Sequence, residues 1–175
     1  MKPNEIIRQF DAYLAAKGLS FEAVVIGGAA LNLLGTINRE TVNCDVLDPT
    51  ITAAIAQAAQ DFCTRTSGHA ADWLNVGPES LKRDLPSGWR KRLQPLFAGK
   101  ALTLDTLGRR DLLKTKLCAY CDRGTDLSDC IVLKPTQAEL DESIEWVQAQ
   151  DANPLWPAHV RFQFEFLAQR LGYGT

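Results

Sequence analysis

Apolar residues recur at helical spacing in the opening stretch NEIIRQFDAYLAAKG, where Ile6, Ile7, Phe10, Tyr13 and Leu14 share a face. Pro3 and Asn4 supply a start and Gly18 a stop, so the chain begins with an amphipathic helix. The pattern then changes. EAVVIGG is a short, β-branched apolar run closed by glycines, which predicts a strand buried on both faces. AALNLLG has the length of two helical turns ended by Gly35. After the polar link TINRET, VNCDVLD reads as a second strand stopped by Pro49. Regular alternation there puts Asn43, Asp45 and Leu47 on one face and Cys44, Val46 and Asp48 on the other.

ITAAIAQAAQDFCTRT is an alanine-rich helix with Ile51, Ile55, Ala58, Ala59 and Phe62 inward. From Ser67 to Gly99 the periodicity weakens among Gly77, Pro78, Pro86, Gly88 and Pro95, which predicts a long loop with short elements. ALTLDTL alternates as a third strand, and RRDLLKTKLCAYCDR is a helix with Leu113, Leu117 and Tyr120 inward. A shorter helix follows around TDLSDCIVL. Thr136 and Glu139 form a capping box before Leu140, Ile144 and Val147. The last helix, HVRFQFEFLAQRLG, carries a stripe of Val160, Phe164, Leu167 and Leu171, widened by Phe162 and Phe166. The expected fold is α/β of the α+β kind: a small mixed sheet of residues near 23–27, 43–47 and 101–105, flanked by helices, with C-terminal helices. Residues 1–175 are read as one domain, with 136–175 as a helical extension packed on it.

Composition narrows the classes of function. With 175 residues, 46% of them hydrophobic, the chain can bury a sizeable core without staples. A net charge of −2 argues against a protein coated in cations, so any polyanion site must be local. No apolar run reaches the roughly 18 residues of a membrane helix, and MKPNEIIRQF is not a signal peptide. The expected location is the cytoplasm, with no membrane partner. The five cysteines, Cys44, Cys63, Cys118, Cys121 and Cys130, are too scattered for a disulfide framework. Cys118 and Cys121 form a C-x-x-C with no second pair to complete a zinc site, so all five read as reduced core residues. His69 and His159 are isolated.

The informative stretch is VVIGGAALNLLGTINRETVNCDV. Glycines between a strand and a helix let a backbone approach a ligand, and the helix's unpaired N–H groups then face an anion. Gly27 and Gly28 fit that description, and they equally fit a tight turn. There is no G-x-G-x-x-G and no Walker lysine, which sets aside Rossmann and P-loop enzymes. Asp45 on the next strand, expected beside Gly28, is either a metal-holding carboxylate or a strand-edge residue paired with Arg39 or capping a turn.

The whole stretch resembles the opening of the nucleotidyltransferase superfamily that includes DNA polymerase β, where Gly-Gly or Gly-Ser after the first strand precedes Asp-x-Asp on the second. LPSGWRKRL and LGRRDLLKTKLCAYCDRGTDLSDCIVLKP extend the likeness to small bacterial members related to toxin–antitoxin and abortive-infection nucleotidyltransferases. The resemblance implies Mg²⁺-dependent transfer of a nucleoside monophosphate from an NTP to a hydroxyl on RNA or protein, and a cognate antitoxin. It assigns Asp45 and Asn43 to the metal, Gly27, Gly28, Arg39 and Thr41 to the nucleotide, and Lys116 to the phosphates. Asn43 stands where the family has a carboxylate, which removes a negative charge from the metal site. A catalytically inactive fold that binds a nucleotide or a protein partner is therefore the alternative. Asp105 on the third strand matches a third carboxylate or a solvated strand residue. Arg123, Asp126 and Asp129 share a helical turn, as a structural network or as part of the site. Lys82, Arg83, Arg90, Lys91 and Arg92 surround Trp89, which suits either a nucleic-acid strand or a solvated turn with the tryptophan buried.

Overall fold

The computed structural model describes residues 3–37, 43–66, 73–77 and 79–173. They group into two compact units, residues 1–108 and 109–175. The N-terminal unit runs α1 (Pro3–Ala16), β1 (Phe21–Ile26), α2 (Gly27–Leu33), β2 (Cys44–Asp48), α3 (Ala53–Arg65), β3 (Leu74–Val76), α4 (Glu79–Asp84), a 3-10 turn (Trp89–Arg92), β4 (Gln94–Ala98) and β5 (Leu102–Thr106). The fold is α+β, with a mixed five-stranded sheet in the order β3-β2-β1-β5-β4. β1 pairs antiparallel with β2 and parallel with β5, so the glycine-bearing strand lies at the centre.

Alternation sorts the sheet into two faces. Phe21, Ala23 and Val25 of β1, Cys44 and Val46 of β2, and Leu102 and Leu104 of β5 join one core with Phe10 and Leu14 of α1 and Ile55, Ala58 and Phe62 of α3. Phe10 meets the Trp73 ring edge-on at 5.1 Å and the Phe62 ring at 5.4 Å, a geometry favoured by ring quadrupoles. One polar group is built into this packing. Asp11 accepts N–H donations from Lys100 at 3.1 Å, Ala101 at 2.8 Å and Leu102 at 2.9 Å, which pins α1 to the β4–β5 turn. Burial pushes its carboxyl pKa up, but the three donors and the Lys100 charge together hold it below the ordinary value.

β3 and β4 are two of the short elements in the stretch of weak periodicity from Ser67 to Gly99, and β4 shows why the pattern there is weak. Its alternation is broken by Pro95 and by an irregular register between Pro95 and Phe97. Proline is tolerated because β4 is an edge strand with no second neighbour to receive an N–H.

The C-terminal unit consists of α5 (Arg109–Arg123), α6 (Leu127–Leu133), α7 (Gln137–Gln148) and α8 (Trp156–Leu171). Its buried apolar residues include Leu113, Leu117, Leu140, Val147, Val160, Phe164 and Leu167. The capping box at Thr136 and Glu139 is formed, and Arg109 reinforces it through two bonds to Glu139, at 2.8 and 3.1 Å. Phe162 is corrected: it is 65% exposed, because it falls outside the arc that Val160, Phe164 and Leu167 bury. Among the described residues, no helix is long and apolar enough to cross a membrane.

Candidate active site

β1 delivers the chain to Gly27, which has φ +76°, a left-handed conformation that favours glycine. The reason lies across the sheet. Ile26 is registered opposite Asp45, so the turn out of β1 starts beside that aspartate. A Cβ at Gly27 would lie 2.9 Å from Asp45 Oδ2. The glycine that makes room for the carboxylate is therefore Gly27, and Gly28 follows as the second residue of α2. Ile26, the residue that precedes α2, has no side chain able to cap the helix. Asn43 is exposed immediately before β2, two residues from Asp45. The Asp45 charge is felt locally: burial first, and then Asp45, push the Cys44 thiol up to about 12. Arg39 and Thr41, the other residues assigned to the nucleotide, lie outside the described residues, as does His69.

The second half of β2 departs from regular alternation. The β1–β2 register shifts between Val24 and Val25, so Val25 faces Val46 while Val24 faces Asp48, and Leu47 is bulged out of the count. The expectation that Asp48 occupies the opposite face from Asp45 is corrected by this bulge, since Val24 and Ile26 lie on one face of a regular β1. Asp105 is registered beside the same Val24 from the other side. Asp105 is thus level with Asp48, about 10 Å away across two strand spacings, and two residues out of step with Asp45.

Asp48 is already engaged. Lys82 forms an ion pair with its Oδ1, and Arg90 donates to Oδ2 from Nη2 at 3.0 Å and from Nε at 3.2 Å. Burial raises the pKa of Asp48, but the two cations outweigh it and hold the carboxyl below its ordinary value. Beside this clamp lies a cavity of about 420 Å³ lined by Leu47, Pro49, Val76, Lys82, Arg83 and Arg90. Trp89 is buried, and the Arg90 guanidinium covers its ring at 4.2 Å, so Trp89 offers no free face to a base. No local signal in the sequence announces the Asp48 clamp, which joins residues 34 and 42 positions apart.

Lys116, in the C-terminal unit, is buried with its Nζ 3.0 Å from Asp126 Oδ1 and 2.8 Å from Asp129 Oδ2. Arg123 adds a bond of 2.9 Å to Asp126. These four residues form one network on α5 and the start of α6. Cys118 and Cys121 lie in mid-helix on α5, and burial pushes their thiols up to about 11 and about 12. None of the five cysteines is in a disulfide. The raised values of Cys44, Cys118, Cys121 and Cys130 leave little thiolate for redox or metal chemistry.

Among the described residues, no group of three or more His, Cys, Asp or Glu side chains gathers as a self-sufficient metal site. A single carboxylate with an adjacent amide, Asp45 with Asn43, suits a magnesium ion whose other ligands are phosphate oxygens, since Mg²⁺ commonly binds through one or two carboxylates plus substrate.

β1 thus leads through Gly27 into a short helix, and the antiparallel β2 sets Asp45 against that glycine. Residues 4–146 match the family described as nucleotidyltransferase of unknown function (DUF6036), and the chain belongs to that family. No curated protein and no solved structure matches the chain.

Proposed function

We propose that the protein transfers a nucleoside monophosphate from an NTP to a hydroxyl of RNA or protein, at the corner formed by Gly27, Gly28, Asn43 and Asp45. The observation that carries this reading is the contact between Gly27 and Asp45: the glycine lacks the one atom that would press on the carboxylate. An approaching phosphate then meets backbone N–H groups beside an acidic metal ligand. The family resemblance assigns Arg39 and Thr41, which lie outside the described residues, to the nucleotide as well. Asp45 and the Asn43 amide oxygen would hold a magnesium ion brought in on the triphosphate, which would neutralise phosphate charge. In the transfer, the acceptor oxygen bonds to the α-phosphorus, the bond to the bridging oxygen breaks, diphosphate leaves, and the hydroxyl proton passes to solvent. Lys116 keeps its two carboxylate partners and acts by fixing α5 against α6. The likeness to toxin-type members extends the proposal to a cytoplasmic activity restrained by an antitoxin.

A second reading, a nucleotide-binding or partner-binding protein without catalysis, is favoured by Asn43 and by the engagement of Asp48 with Lys82 and Arg90. One experiment separates the two. Incubation with labelled NTPs, Mg²⁺, tRNA and candidate proteins is expected to give slow transfer that Asp45→Asn removes and Asn43→Asp increases by about tenfold or more, from the added charge at a site that concentrates cations. If Asn43→Asp stays at background with the fold intact, the binding reading replaces the enzymatic one.

A further inference from the structure

Five of the chain's 19 lysines and arginines fall between residues 82 and 92, in a protein of net charge −2. Lys82, Arg83 and Arg90 line the 420 Å³ cavity at the C-terminal end of β2, and Lys91 and Arg92 follow in the 3-10 turn. We propose that this cleft binds the sugar–phosphate backbone of a single-stranded polynucleotide, which makes the strand's terminal hydroxyl the acceptor.

Three features support a polynucleotide. The cleft is built: Asp48 holds Lys82 and Arg90 in place, and Trp89 backs the Arg90 guanidinium as a flat plate whose outer face can take a base or a phosphate. One carboxylate shared by two cations leaves one positive charge over, and Arg83, balanced by its neighbour Asp84, offers an exposed guanidinium at the rim. The floor is apolar, through Leu47, Pro49 and Val76, and Val76 is 53% exposed, which suits a ribose or base edge more than a free inorganic anion. Placement completes the case. Asp48 is three residues along β2 from Asp45, about 10 Å at the rise of a strand, and the bulge puts both on one face. A strand seated in the cleft therefore ends within reach of Asp45. This acceptor assignment rests on the transfer reading given above, whereas the binding it requires does not.

The test is fluorescence anisotropy of a labelled oligouridylate, with an oligothymidylate arm, on the full chain without NTP or Mg²⁺. Binding is expected to weaken with salt at a slope of about −2 in log K against log concentration, as for about three phosphate contacts to a single strand. Arg83→Glu, on an exposed side chain, is expected to weaken binding by about tenfold and to reduce that slope by about 0.7, the share of one contact. Arg90→Ala is expected to weaken it further, while Lys17→Glu, in the turn after α1, leaves it unchanged. A preference for the RNA arm identifies RNA as the acceptor, and equal affinity leaves the class as single-stranded polynucleotide. Absence of binding, equal competition by polyglutamate, or indifference to Arg83→Glu overturns the cleft. Label transferred only to protein overturns the acceptor assignment but leaves nucleotidyl transfer standing. Oligonucleotide binding with no transfer from any NTP removes the enzymatic reading but leaves the cleft.

Discussion

Two ion-pair networks in this protein are centred on groups of opposite charge. At the end of β2, one carboxylate, Asp48, is shared by two cations, Lys82 and Arg90. On α5 and α6, one ammonium, Lys116, is shared by two carboxylates, Asp126 and Asp129. Their surroundings differ as much as their signs. The side chains of Lys116, Asp126 and Asp129 are 7%, 9% and 2% exposed, whereas those of Lys82, Asp48 and Arg90 are 32%, 22% and 56% exposed. A buried network cannot release a member without leaving an uncompensated charge in low dielectric, so it locks two helices together. A half-exposed network loses little when a member is exchanged or shared, because water and salt screen the vacancy. The first arrangement is suited to holding structure, and the second to meeting a charged ligand.

Removing Lys116 is the strongest way to break that comparison. Lys116→Ala removes the ammonium shared by buried Asp126 and Asp129, with Arg123 still bonded to Asp126, and is expected to cost about 3–5 kcal/mol in denaturant unfolding. Adding Asp126→Asn and Asp129→Asn to Lys116→Met should recover most of the loss, since the buried charge is then gone. A loss below about 1 kcal/mol for Lys116→Ala would mean that water reaches the network, against its burial.

Acid gives an intermediate effect and tests both networks together. Burial raises the pKa of Asp126, but hydrogen bonds from Arg123 and Lys116 bring it below the ordinary value; Asp48 is depressed in the same sense by Lys82 and Arg90. A carboxylate with a folded pKa below its unfolded one stabilises fully above the unfolded value, near 4, and that contribution is lost as pH falls through the folded value. Stability should therefore hold down to about pH 4 and fall below it. Molar salt should remove the Asp48 share and spare the Asp126 share, because only the exposed pairs are screened. Melting curves across pH at two salt concentrations measure this, and equal salt sensitivity of Asp48→Asn and Asp126→Asn variants would erase the distinction.

The smallest expected effect is that of Asp48→Asn on stability, about 1 kcal/mol or less in low salt, as for partly exposed ion pairs. A loss as large as that of Lys116→Ala would show that the clamp is a structural element and not a poised surface.

Much of the fold is legible because it is locally encoded. The 3.6-residue period marks α1, α3, α5, α7 and α8, and the capping box at Thr136 and Glu139 fixes the start of α7 within one turn. The strand–glycine–helix–strand order is equally local, and with it came the pairing of a glycine with Asp45, although Gly27 and not Gly28 makes the contact. The difference of one residue depends on where β1 ends, which the paired strand determines through the Ile26–Asp45 register.

What the sequence by itself determined is the set of elements whose periodicity repeats over several turns or strand residues, the family likeness, and the glycines and aspartate at the centre of the site. What only the tertiary structure decided depends on residues far apart in the chain: the bulge that turns Asp48 to the Asp45 face, the capture of Asp48 by Lys82 and Arg90, the burial of Trp89, and the edge position that lets Pro95 sit in a strand. A local pattern reports which face of an element is apolar, but register and charge pairing are chosen by the neighbour across the sheet, whose identity the pattern does not contain.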